Sequence, residues 1–360
     1  MFNKKTIKDI DVSGKVILLR ADYNVPMEDG DIADDLRIRA SLPTIQYLLD
    51  HGADKIVIIS HLGRPNGREE KYSLLPVAKR LKKLLPDNEV FFNYDVAGEE
   101  VKKTMANLPK GSIFLLENLR FWPEEKWNDV NFAKEIAEAT KADVFVQDGF
   151  GVVHRAHTST DAITKILPSV AGLLLEKEIT TLSKILSNPT HPFYVIIGGA
   201  KVEDKQPLIE KFTDIADEIW VGGKIAADGY QADNDKIHVI TDFKEDSAGI
   251  KSDISDSAGD ELAKIITDNA ATVLWNGTLG KVEDPDFARN SKIIAEAIGK
   301  KANLTSVICG GDTTAFVEGL MKDDPDLHYT LLSTGGGATL SFLSGEPLPG
   351  YDELEAATVC

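Results

Sequence analysis

Short apolar runs alternate with longer amphipathic stretches throughout the chain. The apolar runs are rich in β-branched residues and end in polar residues or glycines, a pattern that predicts buried strands. We predict strands at KVILLR (15–20), KIVIIS (55–60), EVFFN (89–93), SIFLLE (112–117), DVFVQD (143–148), FYVIIGG (193–199), EIWVGG (218–223), KIHVI (236–240), TVLWNG (272–277), SVICGG (306–311) and TLLSTGG (330–336). Because amphipathic stretches separate these runs, the pattern indicates parallel sheets covered by helices on both faces.

The amphipathic stretches predict the helices. In ASLPTIQYLLDHG (40–52), apolar residues recur on one helical face and Gly52 ends the helix. Similar patterns predict helices in 73–85 and 287–299. A longer helix is predicted over 169–188, between Pro168 and the turn at Asn188-Pro189.

The chemistry of the strand ends changes across this long helix. Strands before it end in arginine and histidine, whereas strands after it end in glycine and lysine. A chain of 360 residues also fits about two domains. We therefore predict an α/β protein of two Rossmann-like domains with parallel sheets, residues 1–168 and 189–345, joined by the helix over 169–188.

Basic residues follow the predicted strands of the first domain. KIVIIS leads into HLGRPNG with Arg64, SIFLLE into NLRF with Arg120, and DVFVQD into GFGVVHRAH with Arg155. Ligands bind at the carboxyl ends of strands in open α/β sheets. A single arginine is most often a solvated surface residue. Several at one sheet edge, in a chain of net charge -18, predict a pocket for a small multiply charged anion.

Composition limits the class of protein. The acidic balance argues against nucleic acid or an anionic membrane as a partner. No apolar stretch approaches the ~20 residues of a membrane span, and we see no signal peptide. Two cysteines, Cys309 and Cys360, are too few for a disulfide framework or a metal cluster. These features predict a cytoplasmic protein.

Glycine-rich turns follow the predicted strands of the second domain. GGAKVEDK (198–205) is predicted to open a helix with Lys201 and Lys205 on one face, where they could bind phosphate; a plain turn with solvated lysines is the alternative. In CGGDTT, Asp312 could hold Mg²⁺ or cap a helix. STGGGAT places three glycines before a helix, which leaves amides for an anion. Neither a P-loop nor a dinucleotide fingerprint is present.

Ten segments together resemble the phosphoglycerate kinase family, in that family's order and over essentially the whole chain. They are ADYNVPM, DDLRIRASLPTI, SHLGRPNG, LLENLRF, DGFGVVHRAH, LPSVAGLLLEKEI, IIGGAKVEDK, VLWNGTLG, GGDTTAF and STGGGATLSFLSGEPLPG. The resemblance implies phosphoryl transfer between 1,3-bisphosphoglycerate and ADP, giving 3-phosphoglycerate and MgATP. It also implies a monomeric, hinge-bending enzyme whose tail, 346–360, returns to the first domain.

The resemblance assigns roles residue by residue. It implies a phosphoglycerate site of Asp22, Tyr23, Asn24, Arg37, His61, Leu62, Gly63, Arg64, Arg120 and Arg155. It implies a nucleotide site of Gly199, Ala200, Lys201, Lys205, Gly223, Asn276, Glu283, Gly310, Gly311, Asp312 and Thr313. The implied catalytic residues are Arg37, Lys205, Gly336 and Gly337. Glu283 would hold the ribose and Asp312 the magnesium ion.

The departures from the family pattern all lie on the nucleotide side. The chain is several tens of residues short between Gly223 and KIHVI, where the family has a helix and a loop lining the adenine pocket. Lys224, Cys309 and Thr278 replace a glycine, a glycine and a proline. We therefore expect weak discrimination of the base, with GDP and IDP used nearly as well as ADP. The alternative is a phosphoglycerate-binding pseudoenzyme with a decayed nucleotide site.

Overall fold

A computed structural model describes residues 2–203 and 205–357; Met1, Asp204 and 358–360, and with them Cys360 and the end of the predicted tail, lie outside the described residues. The chain divides into two compact units. The first contains the residues up to Thr180 and those from Pro347 onward, and the second is Thr181–Glu346. In the described part of the chain, every helix is too short or too polar to cross a membrane.

The first unit is built on a sheet of parallel strands. Its strands are β1 (Val16–Arg20), β2 (Met27–Glu28), β3 (Asp31–Ile32), β4 (Lys55–Ile59), β5 (Val90–Phe92), β6 (Ser112–Leu115), β7 (Val144–Gln147) and β8 (Ser169–Ala171). The sheet has the order β5-β6-β4-β1-β7-β8 and is parallel throughout, whereas β2 and β3 form a separate antiparallel pair. The first strand thus lies inside the sheet, with its carboxyl end beside those of β4 and β7.

Alternate residues of these strands enter two different cores. Ile17 and Leu19 of β1 pack in one core cluster with Ile56 and Ile58 of β4, while the intervening Leu18 belongs to a second cluster. Successive strand residues point to opposite faces of a sheet, so both faces are covered here. This double burial explains why the strands read as continuous apolar runs in the sequence.

The helices of the first unit cover these two faces. They are α1 (Leu36–Asp50), α2 (Leu75–Leu84), α3 (Glu99–Asn107), α4 (Glu124–Trp127), α5 (Val130–Thr140) and α6 (Leu173–Ser187), with 3₁₀ turns at Glu70–Tyr72, Leu119–Phe121, Phe150–Val152 and Ala162–Lys165. The predicted stop of the first helix is confirmed, because Gly52 follows α1 with a φ of 78° and donates its amide to the carbonyl of Leu49.

The long connecting helix is shorter than predicted. We predicted one helix over 169–188, but Ser169–Ala171 form strand β8 on the edge of β7, and the helix begins at Leu173. The reason is tertiary: the three residues find backbone partners on β7, and Gly172 then starts the turn into α6. Helix α6 runs across the boundary between the units at Thr180.

The second unit has the same architecture. Its strands are β9 (Phe193–Ile197), β10 (Glu218–Val221), β11 (Ile237–Val239), β12 (Phe243–Glu245), β13 (Lys251–Ile254), β14 (Thr272–Asn276), β15 (Thr305–Cys309) and β16 (Leu331–Leu332). A parallel sheet has the order β11-β10-β9-β14-β15-β16, and β12 and β13 form an antiparallel hairpin. Its helices are α7 (Gln206–Thr213), α8 (Gly223–Ala227), α9 (Asp256–Asn269), α10 (Arg289–Gly299), α11 (Gly311–Asp323) and α12 (Gly337–Ser344), with a 3₁₀ turn at Pro285–Phe287.

The tail packs on the first unit. It carries α13 (Pro349–Asp352), whose Gly350 donates its amide to the carbonyl of Val153 over 2.9 Å. Further on, the amide of Lys5 donates to the carbonyl of Glu355 over 2.8 Å. Residues from both ends of the chain therefore build this unit. The predicted α/β fold with two parallel sheets is confirmed.

Candidate active site

The carboxyl ends of β1, β4, β6 and β7 carry the polar residues of a candidate site in the first unit. Asp22 is buried, and its carboxylate lies 3.1 Å from a terminal nitrogen of Arg37 and 3.9 Å from Nδ1 of His61. The same Arg37 nitrogen donates to the backbone carbonyl of Asn24 over 2.9 Å. Arg37 belongs to the first turn of α1. The helix thus presents the guanidinium to the strand end, and two acceptors fix its position.

Asn24 also holds the loop that follows β4. Its side-chain oxygen accepts the amide of Gly63 over 2.8 Å. Gly63 has a φ of 62°, and a Cβ there would lie 2.3 Å from the ring of Tyr72, so only glycine fits. The next carbonyl back, that of Leu62, accepts from the side chain of Asn118 over 2.8 Å. The loop is therefore anchored from two neighbouring strand ends.

Arg120 is the most deeply enclosed of the predicted arginines. It is 7% exposed, donates to the carbonyl of Gly63 over 2.6 Å, and has a buried Nε with no hydrogen-bond partner among the described residues. Burial, followed by the charges of Arg155 and Arg20, lowers the pKa of Arg120 to about 10. An enclosed cation with an unused donor would be stabilised by an anion.

The lowered pKa of His61 indicates that the site is positively charged. The imidazole is 3% exposed, and burial lowers its pKa well below the usual value. The guanidinium groups that lower it further are those of Arg20, Arg120, Arg37 and Arg155. His61 is therefore neutral near pH 7, and the arginines form one electrostatic cluster. Arg155 donates from Nε to His154 over 3.0 Å, while Arg64 is exposed at the edge of the loop.

Sequence reasoning missed two charged residues that belong to this cluster. Arg20, 1% exposed, donates from Nε to the hydroxyl of Ser159 over 2.8 Å, and that hydroxyl donates to the carboxylate of Glu125 over 2.7 Å. Arg20 also lies 3.1 Å from Nδ1 of His61. Arg20 ends the run KVILLR, so the signal that located the other arginines could have located it. Glu125 lies in the short helix α4 and carries no such signal.

The side chain of Tyr23 lies in the core, beside helix α1. Its side chain is fully buried in the core, and its hydroxyl lies 2.9 Å from that of Ser41 on α1. Burial raises the pKa of this hydroxyl. The side chain therefore supports α1, and a substrate contact at this residue stays a prediction.

A separate candidate site lies in the second unit, where the strand order of its sheet changes direction. The connection from β9 leads toward β11 and the connection from β14 leads toward β16, so the loops after these two neighbouring strands diverge. Ligands bind in the crevice at such a point. The backbones approach closely there: a Cβ at Gly198 would lie 2.2 Å from the carbonyl oxygen of Thr278.

The two lysines do not share a helical face, so that prediction is wrong. Helix α7 begins at Gln206, which places Lys205 at its N-cap and Lys201 in the preceding loop. A turn precedes the helix, in which the carbonyl of Val202 accepts the amides of Lys205 and Gln206 over 2.9 and 2.8 Å. The loop is a strand-to-helix turn in which Lys201 is exposed, whereas Lys205 is partly buried and contacts Asn276. Phosphate binding by these lysines stays a prediction.

Asn276 and its neighbours organise the end of β14. The side-chain oxygen of Asn276 accepts from the ammonium of Lys205, and its nitrogen donates to the sulfur of Cys309 over 3.0 Å. The hydroxyl of Thr313 accepts the amide of Gly277 over 3.0 Å. These contacts join the ends of β9, β14 and β15, which are adjacent in the sheet.

The glycine turns open helices as predicted. Gly310 is the N-cap of α11, and Gly336 is the N-cap of α12, which begins at Gly337. Because Gly310 takes the capping position, Asp312 is an exposed residue of the first helical turn. The alternative that Asp312 caps the helix is wrong. Amides at such helix starts, and a carboxylate beside them, are available to a ligand.

A cavity of about 520 Å³ lies beside these loops. Its lining combines Gly199, Ala200, Gly223, Glu283 and Asp312 with residues of α8 and of the β12–β13 hairpin. Lys224 lies at this cavity, but its ammonium is 2.8 Å from the carboxylate of Asp228. Phe243, Ile250 and Leu279 are the large apolar residues of the lining. The hairpin thus supplies apolar surface that the sequence did not lead us to expect.

The described residues contain no group of three or more His, Cys, Asp or Glu arranged to hold a metal ion. A magnesium ion at Asp312 would therefore need ligands from water and from a phosphate chain. Mg²⁺ commonly binds in this way, through one or two carboxylates and substrate phosphates. The exposed carboxylate at the edge of the cavity fits that type of site.

Comparison with known proteins gives a consistent result. A model of the phosphoglycerate kinase family matches residues 7–239 and 225–346. The phosphoglycerate kinase of Dictyoglomus turgidum is 40% identical over 399 aligned positions, covering 98% of this chain and 99% of that protein. That of Pseudothermotoga lettingae is 40% identical over 398 positions, covering 98% of each.

Solved structures agree. The crystal structure of the phosphoglycerate kinase from Pyrococcus horikoshii has a TM-score of 0.84 at 29% identity, covering 97% of this chain and 98% of that one. The enzyme from Coxiella burnetii has a TM-score of 0.75 at 30% identity with the same coverage. The sequence alignments span more positions than the 360 residues of this chain, and the family matches overlap at 225–239. The match to the family model is divided into two parts there, in the stretch predicted to be shortened.

Proposed function

The chain belongs to the phosphoglycerate kinase family and is a phosphotransferase with a carboxyl group as acceptor, and from this we propose which substrate each unit binds. The first unit binds 3-phosphoglycerate or 1,3-bisphosphoglycerate, and the second binds ADP or ATP. The observation that carries the first assignment is the arginine cluster around neutral His61, with the unused donor of Arg120. A small phosphorylated carboxylate is an anion that such donors suit.

In this proposal, Arg37 stabilises the phosphoryl group during transfer. Its guanidinium is half-buried and held by Asp22 and Asn24, so it needs little reorganisation when charge develops on the phosphoryl oxygens. Phosphoryl transfer passes through a loose transition state, and catalysis is largely positioning and neutralisation of charge. The residues assigned here supply cations and amides, and we propose no covalent intermediate on the enzyme.

The second unit would hold the nucleotide phosphates at the switch point of its sheet. Lys205, oriented by Asn276, would follow the transferred group, while Lys201 would contact phosphates from the loop. The helix-start amides at Gly336 and Gly337 would receive the transferred phosphoryl group. Gly223, Gly310, Gly311 and Thr313 would contact the phosphates, and Glu283 the ribose. This orientation of Lys205 supports a working nucleotide site rather than a decayed one.

Asp312 would hold magnesium together with those phosphates. The bound ion would neutralise phosphate charge and fix the phosphate chain. Asp312→Asn should raise the Mg²⁺ concentration needed for half-maximal activity, and it should weaken magnesium-dependent ADP binding in calorimetry. Asp323→Asn, at the exposed far end of the same helix, is the matched control. Equal magnesium dependence in both variants would contradict the assignment.

The function is tested by a coupled assay for ATP-dependent turnover of 3-phosphoglycerate. The comparisons support the kinase and give no support to the binding-only alternative. Saturable turnover that is lost in Lys205→Ala is the expected result. Binding of 3-phosphoglycerate without any turnover would instead establish the pseudoenzyme. A monomeric state and a cytoplasmic location complete the proposal, to be checked by light scattering and by cell fractionation.

A further inference from the structure

The β12–β13 hairpin forms a wall of the cavity in the second unit, and the proposed function assigns it no role. Phe243 of β12 and Ile250 in the turn both line the cavity. Ile250 is 54% exposed, one of the few large apolar side chains with such exposure among the described residues. An exposed apolar residue beside a cavity is suited to contact a flat apolar ligand surface.

Asp246 builds the turn of this hairpin. Its Oδ1 accepts the amides of Ala248 and Ile250 over 2.9 and 3.0 Å, and its backbone amide donates to the carbonyl of Ile250 over 2.9 Å. Gly249 completes the turn with a φ of 75°. The side-chain oxygen of one residue thus fixes the conformation of the segment that carries Ile250.

The second oxygen of the same carboxylate contacts a residue outside the hairpin. Oδ2 of Asp246 lies 3.3 Å from the hydroxyl of Ser252 and 3.4 Å from the ammonium of Lys281. The amide of Lys281 donates to the carbonyl of Ser252 over 2.9 Å. Lys281 belongs to the loop after β14, which also carries Glu283. The turn is therefore tied to the loop that we assign to the ribose.

The other strand of the hairpin is tied to the opposite side of the cavity. The ammonium of Lys251 lies 4.9 Å from the ring centroid of Phe243 and donates to the carbonyl of Ala227, at the end of α8, over 3.5 Å. Helix α8 follows β10, and the Lys281 loop follows β14. The hairpin consequently spans both sides of the cavity, in the unit where the chain is short between Gly223 and β11.

We propose that Asp246 is a positioning residue for the nucleotide base: it fixes the hairpin turn, and through Lys281 it locks that turn over the pocket. Phe243 and Ile250 then cover the base in place of the helix and loop that the chain lacks. This inference rests on the proposed assignment of the nucleotide to the second unit. The wall presents apolar side chains, which suit the face of a purine, and the Asp246–Lys281 ion pair holds that wall in place.

The kinetic signature follows from where the contact is made. Covering the base contributes equally to the ground state and the transition state, so its loss raises KM without lowering kcat. We expect Asp246→Ala to raise the KM for ADP by about three- to tenfold. The kcat and the KM for the phosphoglycerate substrate should stay within about twofold of the wild type, since neither involves the hairpin. Glu245→Ala is the matched control, because Glu245 is exposed on the adjacent position of β12.

A double-mutant cycle tests the tie to the loop. Lys281→Met should raise the KM for ADP less than Asp246→Ala does, because the turn amides keep their acceptor. The double variant should have the KM of Asp246→Ala alone, since both changes break the same tie. Additive effects, equal KM values for Asp246→Ala and Glu245→Ala, or a fall in kcat together with a rise in both KM values would overturn the proposal.

The failure of this inference is distinguishable from failure of the proposed function. Calorimetric titration of the wild type with ADP, and the coupled assay, come first. If the wild type binds ADP and turns over, and Asp246→Ala has an unchanged KM for ADP, only the proposed role of the hairpin is refuted. Ile250→Ser probes the wall without touching the turn, and it should raise the KM for ADP to a similar extent; an unchanged KM would place the base elsewhere.

Discussion

The side-chain nitrogen of Asn276 lies 3.0 Å from the sulfur of Cys309, and it donates a hydrogen bond to it. The oxygen of the same amide accepts from Lys205. This contact with Cys309 supports the orientation of the amide, and the amide in turn contacts the ammonium proposed to follow the phosphoryl group. We therefore expect Cys309, which stands where the resemblance implies a glycine, to help position Lys205.

We expect Cys309→Ala to lower kcat by about fivefold, the equivalent of one neutral hydrogen bond of about 1 kcal/mol. The KM for 3-phosphoglycerate should not change, because that substrate is assigned to the other unit. Cys309→Ser, which keeps an acceptor at this position, should retain most of the activity. If the alanine and serine variants were equally impaired, packing rather than the hydrogen bond would be responsible.

Arg37→Ala should lower kcat by about 10³-fold or more, as expected for an arginine that stabilises a phosphoryl group in transfer. Steady-state kinetics in both directions would measure it. Arg39→Ala is the control, because Arg39 is two residues further along α1, on a different side of the helix, and its Nε is 2.8 Å from Asp35. A near-normal kcat in Arg37→Ala would remove the assignment, and trapping of a phosphorylated side chain would remove the direct-transfer mechanism.

Asp148 gives the stability a pH dependence. It directly follows β7 and is fully buried, its Oδ1 accepts the amide of Leu174 in the first turn of α6 over 2.9 Å, and burial raises its pKa to about 7. The usual value in an unfolded chain is about 3.9. The folded state therefore binds this proton more tightly. The resulting stabilisation is complete below pH ~4 and is lost as the pH rises through about 7.

The variant Asp148→Asn should isolate this effect. Relative to the wild type, its free energy of unfolding should rise between pH ~4 and ~7 by up to about 1.4 kcal/mol per pH unit and stay level above that range. The constant offset from the new amide does not alter this slope. Urea unfolding at several pH values measures the difference. A difference independent of pH would show that the carboxyl group is ionised throughout.

The base specificity should be low. The cavity wall contains Phe243, Ile250 and Leu279, whose apolar side chains would pack on any purine alike, and the ammonium of Lys224 is already paired with Asp228. We expect GDP and IDP to be used nearly as well as ADP in steady-state assays with the three diphosphates. A preference for ADP of more than about a hundredfold, near 2.7 kcal/mol, would mean that polar groups of the pocket read the base.

Transfer needs both substrates together, whereas the proposed sites belong to different units. We therefore expect the radius of gyration in solution scattering to be smaller with both substrates than with either one, because closure also excludes water from the phosphoryl group. A non-hydrolysable ATP analogue with 3-phosphoglycerate gives a stable ternary complex for this measurement. An unchanged radius in that complex would argue against closure.

The sequence predicted the two parallel sheets well because both faces of each strand are buried. Runs such as KIVIIS carry that information locally. The edge strand Ser169–Ala171 carries none, because three residues become a strand only through pairing with β7. The hairpin was missed for a related reason: its sequence, FKEDSAGIKSDI, is mostly polar and exposed, and the acceptor geometry of Asp246 rather than a hydrophobic pattern shapes it.

In the candidate site, too, local sequence predicts some residues, and others depend on tertiary contacts. Residues at strand ends, such as Arg120 and Arg155, could be located from their position in the pattern. Glu125 could not, because the chain of contacts from Glu125 through Ser159 to Arg20 joins elements distant in sequence. The prediction that Lys201 and Lys205 share a helical face was wrong because the sequence pattern does not show where the loop ends and α7 begins.

The contribution of residues 347–357 to the first unit bears on how the protein acquires its structure during synthesis. Every strand of the second unit leaves the ribosome before the segment that pairs with Lys5 and packs Gly350 on Val153. Domains fold largely as units while the chain emerges. The second unit can therefore be complete while the first, although translated earlier, still lacks its covering segment, so the order of completion is the reverse of the order of translation.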